Sequence, residues 1–378
     1  MKQEKCHGRP PAGSTDHPFW GPYRRFVKGK MARSALEKAS YMDIVYGCPL
    51  DAMHFLYGGI WKKFWSCVLM DAKYETYMSV AAVEDMFHHF RTRLKVPSRW
   101  RRGIRFTMSN YSKLKMAEFM IPSNLFPMST IICTSPYYKS HVACMIVLTR
   151  YLIMPKWQRE GLTKDDKEIV KKINEVFDMS LLDLHGYGSG AYSINHHHFS
   201  HAYILAEMYD GNFSKYTAEG PESSYGFCTR SNMNKYFGHA SGRIPLRVKT
   251  PFMIEDHPCD VHLRISPKQH SKFDDSYVYT RGRKFYKVLE DVEGTNHNVF
   301  KVQKLQVEEF DLEIESTKFG MLSLNISRCS GVYKFIGLTS VVEFLPRTAI
   351  ESNACLDHSP NDGESFLVMV PRESLRCN

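Results

Sequence analysis

Hydrophobic spacing changes twice along the chain. Between residues 41 and 240 apolar side chains return every three or four positions, as in Leu50, Met53, Leu56, Ile60, Phe64 and Val68, which is the stripe of an amphipathic helix. Segments 112–119 and 136–154 read as a short and a long helix, the second with Pro136 suited to its first turn. Thr163 and Asp166 form a capping-box signature ahead of Ile169, Ile173, Val176 and Phe177, and 196–209 and 222–237 predict two further helices. From 243 to 275, Pro245, Pro251 and Pro258 and the loss of any period predict a connection. Beyond it come short β-branched or aromatic runs at 277–279, 284–288, 299–307, 310–314, 321–326, 333–344 and 366–370, separated by Gly, Asp, Asn and Ser. That texture suggests a small all-β barrel or sandwich. The expected organisation is therefore α+β: a basic flexible arm over 1–40, a mainly helical region over 41–242, a linker over 243–275 and a β-rich barrel-like domain over 276–378.

Composition narrows the class. Hydrophobic residues make up 43% and charged residues 24%, the balance of a folded chain with a sizeable core rather than a disordered one. The formal charge of +10 favours an anionic partner, nucleic acid first, against the reading of a basic but inert surface. No two of the ten Cys stand as C-x-x-C, which argues against a zinc ribbon or finger. The most apolar stretch, 144–154, is shorter than a bilayer span and contains Arg150, so it reads as a buried helix, and no membrane partner is expected. The first residues lack the apolar core of a signal peptide, and an intracellular chain with reduced thiols is the expectation.

Four segments carry candidate chemistry. In the first, Asp51 and His54 stand three apart and share a helix face. A carboxylate and an imidazole placed together bind a metal, orient a water or pair, while the plainer reading is a helix cap by Asp51 with His54 an incidental partner. In the second, Arg101, Arg102 and Arg105, followed by Lys113 and Lys115, offer phosphate contacts or simply a solvated basic surface. The third holds His196, His197, His198 and His201, with His197 and His201 one helical turn apart. No third ligand stands at a fixed spacing, so packed or solvent-facing imidazoles compete with a metal site. In the fourth, Pro221 starts a helix with Glu222 in its first turn, favoured by the helix dipole; the alternative makes Glu222 a metal-binding carboxylate.

Taken in order, these segments resemble the transposases of CACTA-type (En/Spm-like) DNA elements. Residues 49–63 are similar to the family's P-L-D-x-M-H-L-x-x-x-G-x-x-K-K stretch, and 101–119 to its basic element ending W-K-A-x-E-F, here Leu114 to Phe119. Pro136, Tyr137 and Tyr138 match a Pro-Tyr-Tyr phrase before a long apolar helix, and 195–201 match N-x-H-x-x-x-H. Gly211, Tyr216, Glu222, Ser223 and Gly226 fall in the places of the family's last segment, and 344–346 and 366–371 resemble its β-rich tail.

The resemblance implies an RNase H-like nuclease with a helical insertion and an Asp-Asp-Glu triad holding two Mg²⁺ ions at a phosphodiester. Glu222 would be the third acid, Asp51 and His54 the inherited Asp-x-x-His pair, and Glu222, Asp51 and His201 the candidate metal ligands. Two further Asp on sheet strands and a C-x-x-C pair belong upstream in the family. The residues before Asp51 contain neither a strand-like run ending in Asp nor that pair, and Asp16 and Asp43 are poor substitutes. The expectation is a nuclear, transposase-derived protein, catalytically incomplete, that binds DNA through Arg101, Arg102, Arg105, Lys113 and Lys115. A protein partner or self-association is a second expected mode. The alternative is an active Mg²⁺-dependent transposase or endonuclease.

Overall fold

The computed structural model describes residues 50–65, 94–98, 116–124, 136–185, 193–208, 265–267, 273–292, 299–358 and 363–370, with isolated positions between 81 and 92. Residues 50–378 cluster as one compact unit. The architecture is α+β, with helices first and a closed six-stranded antiparallel barrel after them. The basic arm over 1–40, the helix expected at 222–237 and most of the connection over 243–275 lie outside the described residues.

Helix α1 (Met53–Trp61) is wound as a π-helix, and the Lys62 N–H that follows donates to the Tyr57 carbonyl five residues back. The sequence predicts a stripe through Met53, Leu56 and Ile60. In the structure Phe55, Tyr57 and Trp61 are buried as well, so the helix is an interior element enclosed on most sides. A short 3₁₀ turn (Met116–Phe119) leads into α2 (Met120–Asn124). Helix α3 (Pro136–Ile153) starts at the expected proline and runs through the centre, with Val142 to Ile153 buried without a gap. Trp61 Nε1 donates to Thr149 Oγ1 at 3.0 Å and ties α1 to it.

After α4 (Lys156–Glu160), the expected capping box opens α5 (Lys164–His185). Asp166 N–H donates to Thr163 Oγ1 at 3.2 Å, while Thr163 N–H and Oγ1–H donate to Asp166 Oδ2 at 2.7 and 2.8 Å. Ile173, Val176 and Phe177 then face the core, as their spacing predicts. The single helix expected over 196–209 is instead two, α6 (Ile194–Phe199) and α7 (Ala202–Met208). The break is held by Asn174 of α5: its Nδ2 donates to the Ser200 carbonyl and its Oδ1 accepts the Tyr203 N–H at 3.1 Å. One side chain thus satisfies a donor and an acceptor at the break.

The strand-rich part contains β1 (Tyr277–Thr280), β2 (Phe285–Asp291), β3 (Val299–Glu308), β4 (Asp311–Ser316), β5 (Gly320–Asn325), β6 (Val332–Pro346), β7 (Ile350–His358) and β8 (Ser365–Met369), with a turn of helix, α8 (Ser327–Ser330), before β6. The barrel runs β1-β2-β3-β6-β8-β7, and β4-β5 is a separate hairpin. Gly331 closes α8 at φ 69°, a left-handed cap that suits glycine. Strand β7 has no sequence counterpart in the expected set. Its Glu351-Ser352-Asn353 run reads as polar loop, yet these residues are buried because β7 pairs with β1 on one side and β8 on the other. Tyr277, Tyr279, Phe285, Leu305, Tyr333, Ala354, Leu367 and Met369 form one core drawn from all six strands.

The helices and the strands share their largest core. Leu312 and Ile314 of β4, Val332 of β6 and Val368 of β8 belong to the same cluster as Val147, Tyr151 and Phe177. Arg150 is fully buried at this junction. Its Nε donates to the Ser330 carbonyl, Nη1 to the Asn124 carbonyl at 3.2 Å and Nη2 to the Met369 carbonyl at 2.7 Å. Burial, partly offset by Tyr57 and Cys355, pulls the guanidinium down to about 9, still charged at neutral pH. The residue that interrupts the apolar run therefore cross-links α2, α3, α8 and β8.

Candidate functional site

Asp51 opens α1 and performs two tasks there. Its Oδ1 accepts the Met53 N–H at 3.0 Å and its own carbonyl accepts the Phe55 N–H at 2.7 Å, so it caps the helix. Its Oδ2 is paired with His54 Nδ1. The shared face predicted from the three-residue spacing is thus present, and capping and pairing coexist in one side chain. The pair is open to solvent, with side-chain exposures of 22% for Asp51 and 42% for His54.

The second element of the site is α6. Asn195 packs on α1 at Gly59, where a Cβ would lie 2.2 Å from Asn195 Nδ2 and 2.8 Å from the His54 carbonyl. Only glycine permits this approach. Four residues on, Phe199 sits 6.2 Å from Phe55 of α1 and edge-on to Phe177 of α5 at 5.0 Å. Phe177 in turn stacks on His141 of α3 at 5.1 Å, whose Nδ1 meets Ser180 Oγ at 2.8 Å. A continuous row of rings, Phe55–Phe199–Phe177–His141, therefore fixes α1 and α6 against the central helices. Nothing in the local sequence marks His141 or Asn174 as parts of this support, because both act across long separations.

The four histidines of the third segment differ in their surroundings. His196 is buried with Nδ1 at 2.9 Å from Ser193 Oγ, just before α6. His197 and His201 meet edge-on at 5.1 Å across the break between α6 and α7. Burial, and then the neighbouring His197, push the His198 imidazole below its ordinary value, so that it is neutral at physiological pH. Among the described residues no three His, Cys, Asp or Glu side chains converge as a metal would need, and Asp51 is engaged by both of its oxygens. The described side chains do not by themselves fit a two-Mg²⁺ centre. Glu222, the third candidate ligand, and Arg101, Arg102, Arg105, Lys113 and Lys115, the candidate DNA contacts, lie outside the described residues.

One acid of the barrel went unmarked by sequence. Asp357 of β7 is fully buried, and neither carboxyl oxygen has a hydrogen-bond partner. Burial alone lifts it to about 7. It lies in the strand that the sequence pattern missed, next to an exposed His358, with no motif around it.

No protein-family model, no curated protein and no solved structure matches this chain.

Proposed function

We propose that the chain is a transposase-derived DNA-binding protein that retains the helical scaffold of a CACTA-type enzyme but does not cleave DNA by itself. The observation that carries the reading is the contact between α1 and α6. The segments 49–63 and 195–201 are separated by more than a hundred residues, and each resembles a different part of the family pattern. They meet through Gly59 and Asn195, a glycine and an asparagine that the pattern itself contains. A chance similarity in two degenerate stretches gives no reason for their signature residues to touch.

The chemistry follows from counting ligands. Two hard cations at a phosphodiester require several carboxylates within a few ångströms, in near-octahedral order. Asp51 is occupied as a cap and as the partner of His54, which leaves Glu222 without evident companions. Phosphate contacts by Arg101, Arg102, Arg105, Lys113 and Lys115 need no metal, and the net charge of +10 supports them.

The test is a nicking assay on supercoiled plasmid with Mg²⁺ or Mn²⁺, run beside a binding titration on the same purified chain. Binding without nicking is expected. Metal-dependent nicking that Glu222→Gln abolishes would establish the active-enzyme alternative instead.

A further inference from the structure

Strand β6 spans 15 residues but is paired on both sides over only a small part of its length. On one side it follows β3 from Lys334 to Pro346. On the other it meets β8 only at Val332, Tyr333 and Lys334. From Phe335 to Pro346 the second edge has no strand beside it among the described residues. Unpaired edges are templates for another strand, and folded proteins usually blunt them with lysine, proline, or charges pointing inward.

This edge is not blunted along its length. Its solvent-facing positions alternate as Ile336, Leu338, Ser340, Val342 and Phe344, and the four apolar ones are between 42% and 63% exposed. None of the five carries a charge. Lys334 and Pro346 stand only at the two ends. A bulge at the centre, where Leu305 opposes Leu338 but Gln303 opposes Val342, is pinned by Thr339 Oγ1–H donating to the Lys304 carbonyl at 2.8 Å. The bulge leaves a regular stretch on either side of Ser340.

We infer that this edge pairs with the same edge of a second copy, antiparallel about a two-fold axis at Ser340. The spacing is self-complementary: the axis sets Ile336 opposite Phe344 and Leu338 opposite Val342, all on one face. Such β-branched, aliphatic and aromatic cross-strand pairs are stabilising. The charges agree with the same register. Lys334 comes opposite Pro346 and Glu343 opposite Gly337, so no like charges face each other. The result is a continuous β3-β6-β6-β3 sheet through two barrels, an isologous contact that closes on itself. With one strand edge per copy the interface is small, and association in the micromolar range is expected.

The experiment is sedimentation equilibrium of the full chain across that range, with thermal unfolding as a check that each variant is folded. The wild type should shift from monomer to dimer, not to higher species. Leu338→Lys alone and Val342→Glu alone should each be monomeric, by setting a charge opposite an apolar partner. Both changes in one chain should restore the dimer, because the two-fold puts the new lysine of one copy against the new glutamate of the other. A wild-type chain that stays monomeric at every concentration overturns the inference and leaves the edge to a strand of another protein. Single variants that still dimerise, or a double variant that does not, overturn it as well.

Discussion

The helical half and the barrel reach the same compactness by different means. The helices are placed by side chains acting at single points: Asn174 at the α6–α7 break, Trp61 on Thr149, and the ring row from Phe55 to His141. The barrel strands are placed by ladders in which each pair reinforces the next. A helical bundle of this kind is therefore vulnerable at a few residues, whereas the barrel is vulnerable at its open edge and at polar groups locked inside its wall. Arg150 belongs to both halves, and it is where the contrast can be tested hardest.

Arg150→Met should give the largest effect. It removes the donors from three buried carbonyls, of Ser330, Asn124 and Met369, while keeping most of the apolar volume. A loss of about 3–5 kcal/mol in urea unfolding is expected, from stranded buried acceptors. Arg150→Lys should recover little of it, because an ammonium on a flexible stem cannot reach all three. A loss below about 1 kcal/mol would mean that the two halves are joined by apolar packing alone.

Asp357 tests the barrel wall. Its folded-state value of about 7 lies above the ordinary carboxylate value, so the folded state holds a proton that the unfolded state has released. Stability should therefore fall as pH rises from about 4 to about 7 and level off above, with an amplitude of a few kcal/mol. Asp357→Asn should remove that slope and be the more stable chain at pH 8. Parallel pH profiles for the two would show that the carboxyl finds water or a partner.

The contact between α1 and α6 tests the helical half with a smaller expected effect. Gly59→Ala should cost about 2 kcal/mol, since the added methyl meets Asn195 Nδ2 at 2.2 Å. Trimming Asn195 to Ala in the same chain should return part of that loss, a coupling of about 1 kcal/mol or more in a double-mutant cycle. Strict additivity would mean that the two helices do not touch there.

The same contrast explains what the sequence disclosed. Signals that act within a few residues were legible: Pro136 starting α3, the Thr163–Asp166 box starting α5, the alternation of β1 to β6, and Asp51 beside His54. Features set by distant partners were not. β7 is a strand because β1 and β8 flank it, not because Glu351, Ser352 and Asn353 favour strands. The helix predicted over 196–209 is divided because Asn174, some thirty residues earlier, competes for its backbone at Ser200 and Tyr203. Arg150 was visible as an oddity in an apolar run, but its carbonyl partners lie in three separate segments. Within the candidate site, the Asp51–His54 pair was readable and the closeness of Gly59 to Asn195 was not.

The central claim is that this transposase-derived scaffold holds DNA through phosphate contacts alone. The most direct measurement is the affinity of the full chain for a fluorescent duplex, followed against salt in the presence of EDTA. Binding should persist without metal and weaken along a straight line of log K against log salt, because each neutralised phosphate releases counterions. Alanine at Arg101, Arg102 and Arg105 together should flatten that slope by about 0.9 for each phosphate left without its cation. No binding at low salt, or binding whose affinity is indifferent to salt, would contradict the account.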